Sequence, residues 1–223
     1  MNINEIYLKI VALNKGKITV AIDGYIGSGK TFIANQIIKD HENEIVLIHG
    51  DDFLVSGAGR KTALEKYGPD LAMSVYGNRW QEIRRLVKAF KRGENEFKFK
   101  GFDHESGECN IEMSYNFTGK KILIAEGVFL IHPKTITDIW DYKIYVKGDI
   151  EKIDKRRIER EKARWGEKYF PETRPDSHMG MAVRAYKKFI EEYNPEHLAD
   201  LVIDNSNKLC LRVINKLFEN KSF

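Results

Sequence analysis

Cysteine is scarce: only Cys109 and Cys210 occur in 223 residues, and no CxxC pair is present. That argues against a disulfide framework and a zinc site, and it fits a reducing cytoplasm. Long apolar runs are missing too. None approaches the ~20 residues of a membrane helix, so no membrane partner is expected. The opening segment MNINEIYLKIVALNKGK carries acidic Glu5 and no unbroken apolar stretch, so it does not read as a signal peptide. An excess of one charge is also absent. Thirty-seven basic residues face 33 acidic ones, for a net charge of +4. So mild a balance does not by itself call for nucleic acid, and none is expected as a partner. Internal repeats and low-complexity tracts are lacking as well. What is present, 42% hydrophobic content, suffices for a single domain over residues 1–223.

Helical spacing of Ile3, Ile6, Tyr7, Ile10 and Val11 predicts an opening helix. Short apolar runs predict five buried strands, at 17–23, 44–50, 120–127, 142–146 and 199–204. Between them, 30–40, 79–90, 149–163 and 182–193 show helical patterns, and 207–219 is expected as a closing helix. Residues 56–78 read as a polar, glycine-bearing connection. EFKFKGF and NIEMSYNF alternate and are expected to pair as an antiparallel hairpin, about 95–118, outside the main sheet. Apolar strands alternating with helices argue a three-layer α/β/α fold, with a five-stranded parallel sheet covered on both faces. Ligands of such sheets bind beyond the carboxyl ends of the strands.

The segment after the first strand, Gly24-Tyr25-Ile26-Gly27-Ser28-Gly29-Lys30-Thr31, fits the phosphate-loop pattern G-x4-G-K-[ST]. Glycines at 24, 27 and 29 let successive N–H groups turn inward, Ser28 among them. The helix that begins there adds the positive end of its dipole. Lys30 supplies a cation for the β- and γ-phosphates of ATP, and the Thr31 hydroxyl can reach Mg²⁺.

Two further strands end in acids. The second runs into HGDDFL, so Asp51 or Asp52 emerges at the sheet edge that carries the phosphate loop. A carboxylate there can take the proton of an attacking hydroxyl; the plainer alternative is a solvated turn or a helix cap. The third strand ends in AEGV, which sets Glu126 at the same edge as an oxygen ligand for Mg²⁺ or as a capping carboxylate. Farther on, Arg156, Arg160 and Arg164 recur every fourth residue, with Arg157 three before Arg160. Such like charges repel on an isolated helix, and a phosphate would relieve them. The competing reading is a solvated face on which Arg157 pairs with Glu161 and Lys155 with Glu159. Trp165, Tyr169 and Phe170 either pack a lid or stack on a base.

Taken in order, GYIGSGKT, DDF, FDHESGE, IAEGVFL, RRIERE and HLADLVIDN resemble the uridine kinases and their relatives, a P-loop kinase group that includes phosphoribulokinases, pantothenate kinases and nicotinamide riboside kinases. The resemblance spans about residues 17–206. It implies a five-stranded parallel sheet, a helical lid at about 156–178, and a hairpin that helps to form the acceptor site. It also implies that Asp51 is the catalytic aspartate of the D-x-F motif, that Glu126 is metal-linked, and that Arg157 and Arg160 are lid arginines. The chain departs from uridine kinases in Phe102-Asp103-His104, where His follows Asp directly and Phe replaces Tyr. Asp70 stands as the candidate for the ribose-binding acid. His104 either contacts the acceptor with Phe102 or is a hairpin-tip residue bonded to Glu105 or Glu108.

The function expected from the resemblance is transfer of the ATP γ-phosphoryl to a hydroxyl of a small metabolite, with Mg²⁺ as cofactor. The acceptor is a nucleoside of the uridine or cytidine kind, or else a non-nucleoside such as pantothenate, a sugar phosphate or nicotinamide riboside. A regulatory nucleotide switch is the other class. A GTP-binding switch would carry N-K-x-D, and NKLC and NKLF both lack the Asp. Homo-oligomerisation is left open.

Overall fold

A computed structural model describes residues 3–206 and the backbone of 212–214. Strand β1 (Ile18–Gly24) is buried along its whole length and lies mid-sheet. On one side it pairs in parallel with β5 (Ile122–Gly127), and β5 with β2 (Ile45–His49). On the other it pairs with β6 (Tyr142–Lys147), and β6 with β7 (Leu201–Asp204), again in parallel. These are the five parallel strands. A sixth, β8 (Arg212–Ile214), adds antiparallel to β7. The closing helix expected over 207–219 is therefore a strand at 212–214, and the rest of that stretch lies outside the described residues.

Burial on both faces explains why the strands read as unbroken apolar runs. Along β5, Ile122 and Ile124 face one core while Leu123 and Ala125 face the other. The first core is covered by α1 (Ile3–Val11) and α2 (Lys30–Ile38) through Ile6, Ile10, Ile33 and Ile37. The second is covered by α4 (Trp80–Arg92) through Ile83, Leu86 and Phe90, and by α6 (His178–Tyr193) through Tyr186 and Phe189.

Residues expected as an open connection form α3 (Gly57–Ser74), broken at Gly68, whose φ of 75° precedes Pro69. Ser56 caps it, its side chain accepting from the Gly59 N–H. Its apolar residues form no stripe, and only Ala63, Ala72 and Ser74 are buried. The hairpin is β3 (Glu96–Gly101) against β4 (Ile111–Asn116), in a sheet of its own. Its paired residues Phe97–Tyr115 and Phe99–Met113 lean on the second core. The remaining helices are α5 (Ile150–Trp165) and the short α7 (Pro195–Leu198).

Candidate active site

Gly27 and Gly29 both have positive φ, 84° and 97°, between β1 and α2. A side chain would fail at two of the loop glycines. A Cβ on Gly24 would stand 2.4 Å from the Val146 carbonyl oxygen, and one on Gly29 would stand 2.6 Å from Asn205 Nδ2. Asn205, just past β7, uses that amide to donate to the Ser28 carbonyl at 2.8 Å, pinning the loop from below. Ser28 Oγ is buried without a hydrogen-bond partner. Lys30 donates to the carbonyls of Gly24 at 3.0 Å and Tyr25 at 3.2 Å. Two of its three protons are thus engaged. Burial pushes its pKa down, against the attraction of Glu126, Asp23 and Asp51.

Those three acids come from the ends of three different strands. Asp51 sits in a single 3₁₀ turn, Gly50–Phe53, directly after β2. It opens to the cleft, yet the protein crowding it pushes its carboxyl up. The Glu126 charge adds to that rise, while Lys30 and His104 oppose it. Glu126 ends β5. Burial works against its charge, but His49, Lys30 and Thr31 together hold it below the usual range. His49 Nδ1 lies 2.8 Å from Glu126 Oε1, and this contact raises the His49 pKa. Asp52 is turned away: Tyr115 donates its phenol to Asp52 Oδ2 at 2.5 Å, and the Phe102 N–H donates to the Asp52 carbonyl at 2.9 Å.

Asp23 is fully buried under the loop. It accepts from the N–H groups of Gly24, Phe129 and Ile131 at 2.7, 3.2 and 3.0 Å, and from the Tyr186 hydroxyl at 2.8 Å. Burial pushes its carboxyl up, opposed by the Ile131 and Tyr186 hydrogen bonds and the Lys30 charge. The acid thereby ties the phosphate loop to the segment after β5, where Phe129 takes a φ of 62°, and to α6.

A phosphate loop facing acids from two neighbouring strands narrows the relatives, and sequence comparison decides among them. Residues 19–208 match the Phosphoribulokinase / Uridine kinase family. The chain belongs to that family. As a member it is an ATP-dependent small-molecule kinase. A uridine kinase from Staphylococcus aureus (strain JH9) is 25% identical over 202 residues, covering 90% of this chain and 94% of the relative. Among solved structures, one from Bacillus stearothermophilus described as a possible uridine kinase superposes with a TM-score of 0.65 at 19% identity, covering 90% of this chain and 96% of that one. Phosphoribulokinase from Rhodobacter spheroides gives a TM-score of 0.59 at 14% identity, with 93% and 83% covered. These superpositions support the fold.

In this family member the structure brings Gly24, Gly27, Ser28, Gly29, Lys30, Thr31, Asp51 and Glu126 together at one sheet edge. Phe102 is buried behind the turn that carries Asp51, and His104 packs edge-on to it at 5.1 Å. His104 bonds to neither Glu105 nor Glu108. Asp70 is not brought to the others. It pairs with Lys188 at 2.9 Å, ten residues along α6 from its start, or about 15 Å from the cleft end of that helix.

The competing reading, in which Arg157 pairs with Glu161 on a solvated face, does not hold. Arg157 is 2% exposed and pairs with Glu172 and, at 2.7 Å, with Asp154. Burial selects that pairing, because an enclosed guanidinium needs counter-charges. Arg160 is at the surface, 3.4 Å from Glu161. The sequence reading missed Asp23 and His49. A lone carboxylate within an apolar strand is the signal that marks Asp23. His49 has none, because its partner lies 77 residues on.

Proposed function

We propose that this kinase transfers the ATP γ-phosphoryl group to a hydroxyl of a small metabolite held between Asp51 and the hairpin. The observation that carries the reading is the convergence of Lys30, Asp51 and Glu126, each acting electrostatically on the others. The phosphate-loop N–H groups and the remaining Lys30 proton hold the β- and γ-phosphates. Asp51 accepts the acceptor's hydroxyl proton as that oxygen bonds to the γ-phosphorus, and the bond to the ADP oxygen breaks. A carboxylate raised by burial is the better base. A carboxylate free of hydrogen bonds favours Asp51 for this role over Asp52, whose carboxylate is held by Tyr115. Arg157 and Arg160 belong to a lid, about 156–178: Arg157 anchors it through Asp154 and Glu172, and the exposed Arg160 brings positive charge to the nucleotide on closing.

The Thr31 hydroxyl and the Glu126 carboxylate, in contact with each other, are hard oxygen donors that suit Mg²⁺. Among the described residues no group of three His, Cys, Asp or Glu forms a metal cage; Thr31 and Glu126 would hold the ion together with the nucleotide phosphates. When bound, Mg²⁺ neutralises charge developing on the phosphates.

We read residues 1–223 as one kinase domain, with the hairpin insertion at about 95–118, acting in the cytoplasm. No described helix is long and apolar enough to cross a membrane. A nucleoside acceptor is supported by the uridine kinase relatives. A second reading, a charged non-nucleoside acceptor, is favoured by an unpaired arginine in the cleft wall, taken up below. The test is acceptor-stimulated ADP release over a panel containing uridine, cytidine, nicotinamide riboside and pantothenate. ATP binding without stimulation by any acceptor would leave only a nucleotide-binding protein.

A further inference from the structure

Arg60 stands where local preference does not place a cation. It occupies the first turn of α3, where the helix dipole is positive and no acid is present. Its side chain is partly buried, and burial alone lowers its pKa, with no carboxylate acting on it. Among the described residues its guanidinium makes no ion pair and no hydrogen bond, and it lies 5.7 Å from the Phe102 ring centroid. A desolvated arginine without an anion is expensive unless a ligand supplies one.

The neighbours of Arg60 lead back to Asp51. Phe102 carries Arg60 over its ring on one side and meets His104 at 5.1 Å on the other. His104 acts in turn on the Asp51 carboxylate. Opposite, Arg60 faces His178, whose pKa falls through burial and then through the Arg60 charge. Helices α3 and α6 run side by side in the same direction, since Arg60 neighbours His178 at one end and Asp70 pairs with Lys188 at the other. Both positive helix ends therefore point the same way as Arg60. Two acids in the flanking loops are engaged elsewhere. Asp103 accepts from Ser106 Oγ at 2.7 Å and from the Glu105 N–H at 2.9 Å, and Glu172 is held by Arg157.

We propose that the phosphate acceptor carries an anionic group, a phosphate or a carboxylate, and that Arg60 binds it while Asp51 takes the hydroxyl at the other end. Phe102 forms the apolar floor between them, and His104 and His178 flank the path. The inference rests on the phosphotransfer reading and narrows it, because an uncharged nucleoside would leave Arg60 unanswered.

The experiment compares matched acceptors: pentose 5-phosphates against free pentoses, glycerate against glycerol, pantothenate against pantothenol, with uridine and cytidine alongside. Each is assayed with wild type, Arg60→Gln and Arg60→Lys. An anionic acceptor is expected to be used at least about tenfold better in kcat/KM than its uncharged counterpart, and the phosphate and carboxylate arms identify which anion. Arg60→Gln should raise the KM of that acceptor by roughly ten- to a hundredfold, the range of a charge-assisted hydrogen bond. The KM for ATP and the kcat should change little, and Arg60→Lys should recover part of the loss. Thermal stability should hold or rise, since a first-turn cation is removed; a fall in Tm with unchanged KM would assign Arg60 a structural role and overturn the proposal. Better use of an uncharged acceptor than of its anionic partner would overturn it as well, leaving phosphotransfer intact. No acceptor-dependent ADP release with any compound would remove the phosphotransfer reading, and this inference with it.

Discussion

Tyr115 on the hairpin donates its phenolic hydrogen to Asp52 at 2.5 Å, while the carboxylate of the adjacent Asp51 makes no hydrogen bond among the described residues. The same ring lies 6.4 Å from Phe53 and 5.8 Å from Phe99, both in near-parallel stacks. One aromatic thus locks the Asp51–Asp52 turn to the hairpin. Tyr115→Phe keeps the stack and removes the bond. The expected result is a loss of about 1–2 kcal/mol in stability and a raised acceptor KM, with the KM for ATP unchanged. Urea unfolding and steady-state kinetics read both. A rise in the ATP KM instead would place Tyr115 on the donor side.

Arg157 and Arg160 lie on one helix but in opposite settings. Arg157→Met leaves the partly buried Asp154 and Glu172 without their shared counter-charge, and should destabilise the fold by about 3 kcal/mol. Arg160→Met removes only an exposed pair and should fall within about 0.5 kcal/mol of wild type. Equal urea midpoints for the two variants would contradict the assignment of Arg157 to an enclosed network.

His132 gives the fold a pH dependence away from the site. It is 4% exposed, ringed by Phe129, Phe189 and Tyr193, and its Nδ1 accepts from the Lys134 N–H at 3.1 Å. Burial, with Lys134 adding, lowers its pKa to about 4 from 6.5. The unfolded chain therefore binds a proton that the folded chain refuses. The His132 contribution is complete above pH 6.5 and declines as the pH falls from there towards 4, by at most about 1.4 kcal/mol per unit. Denaturant midpoints at pH 7.5, 6.0 and 5.0 should show that slope in wild type and a shallower one in His132→Asn. An identical slope in both would mean that other groups set it.

Much of the site's donor half is legible in the sequence, because its chemistry is contiguous. One eight-residue loop supplies the glycines, Lys30 and Thr31, and the apolar strands point it and the acids at 51 and 126 to one edge. What escapes is whatever depends on distant partners. Asp23 is held by residues more than a hundred positions away, and nothing near His49 in sequence announces Glu126. Helix α3 escapes because packing against α6 stabilises it rather than an apolar stripe of its own. Asp70 and Arg60 follow from that omission: only once α3 is a helix does one turn out to meet Lys188 and the other the cleft.

The central claim is that Asp51 receives the acceptor proton in a site where other groups hold ATP. Asp51→Ala tests it when phosphoryl transfer from γ-labelled ATP and ATP affinity are measured on the same preparation. Transfer should fall by about 10²–10⁴-fold, while ATP affinity stays within a few-fold of wild type. Transfer that survives the substitution, or ATP binding that is lost with it, would contradict the account.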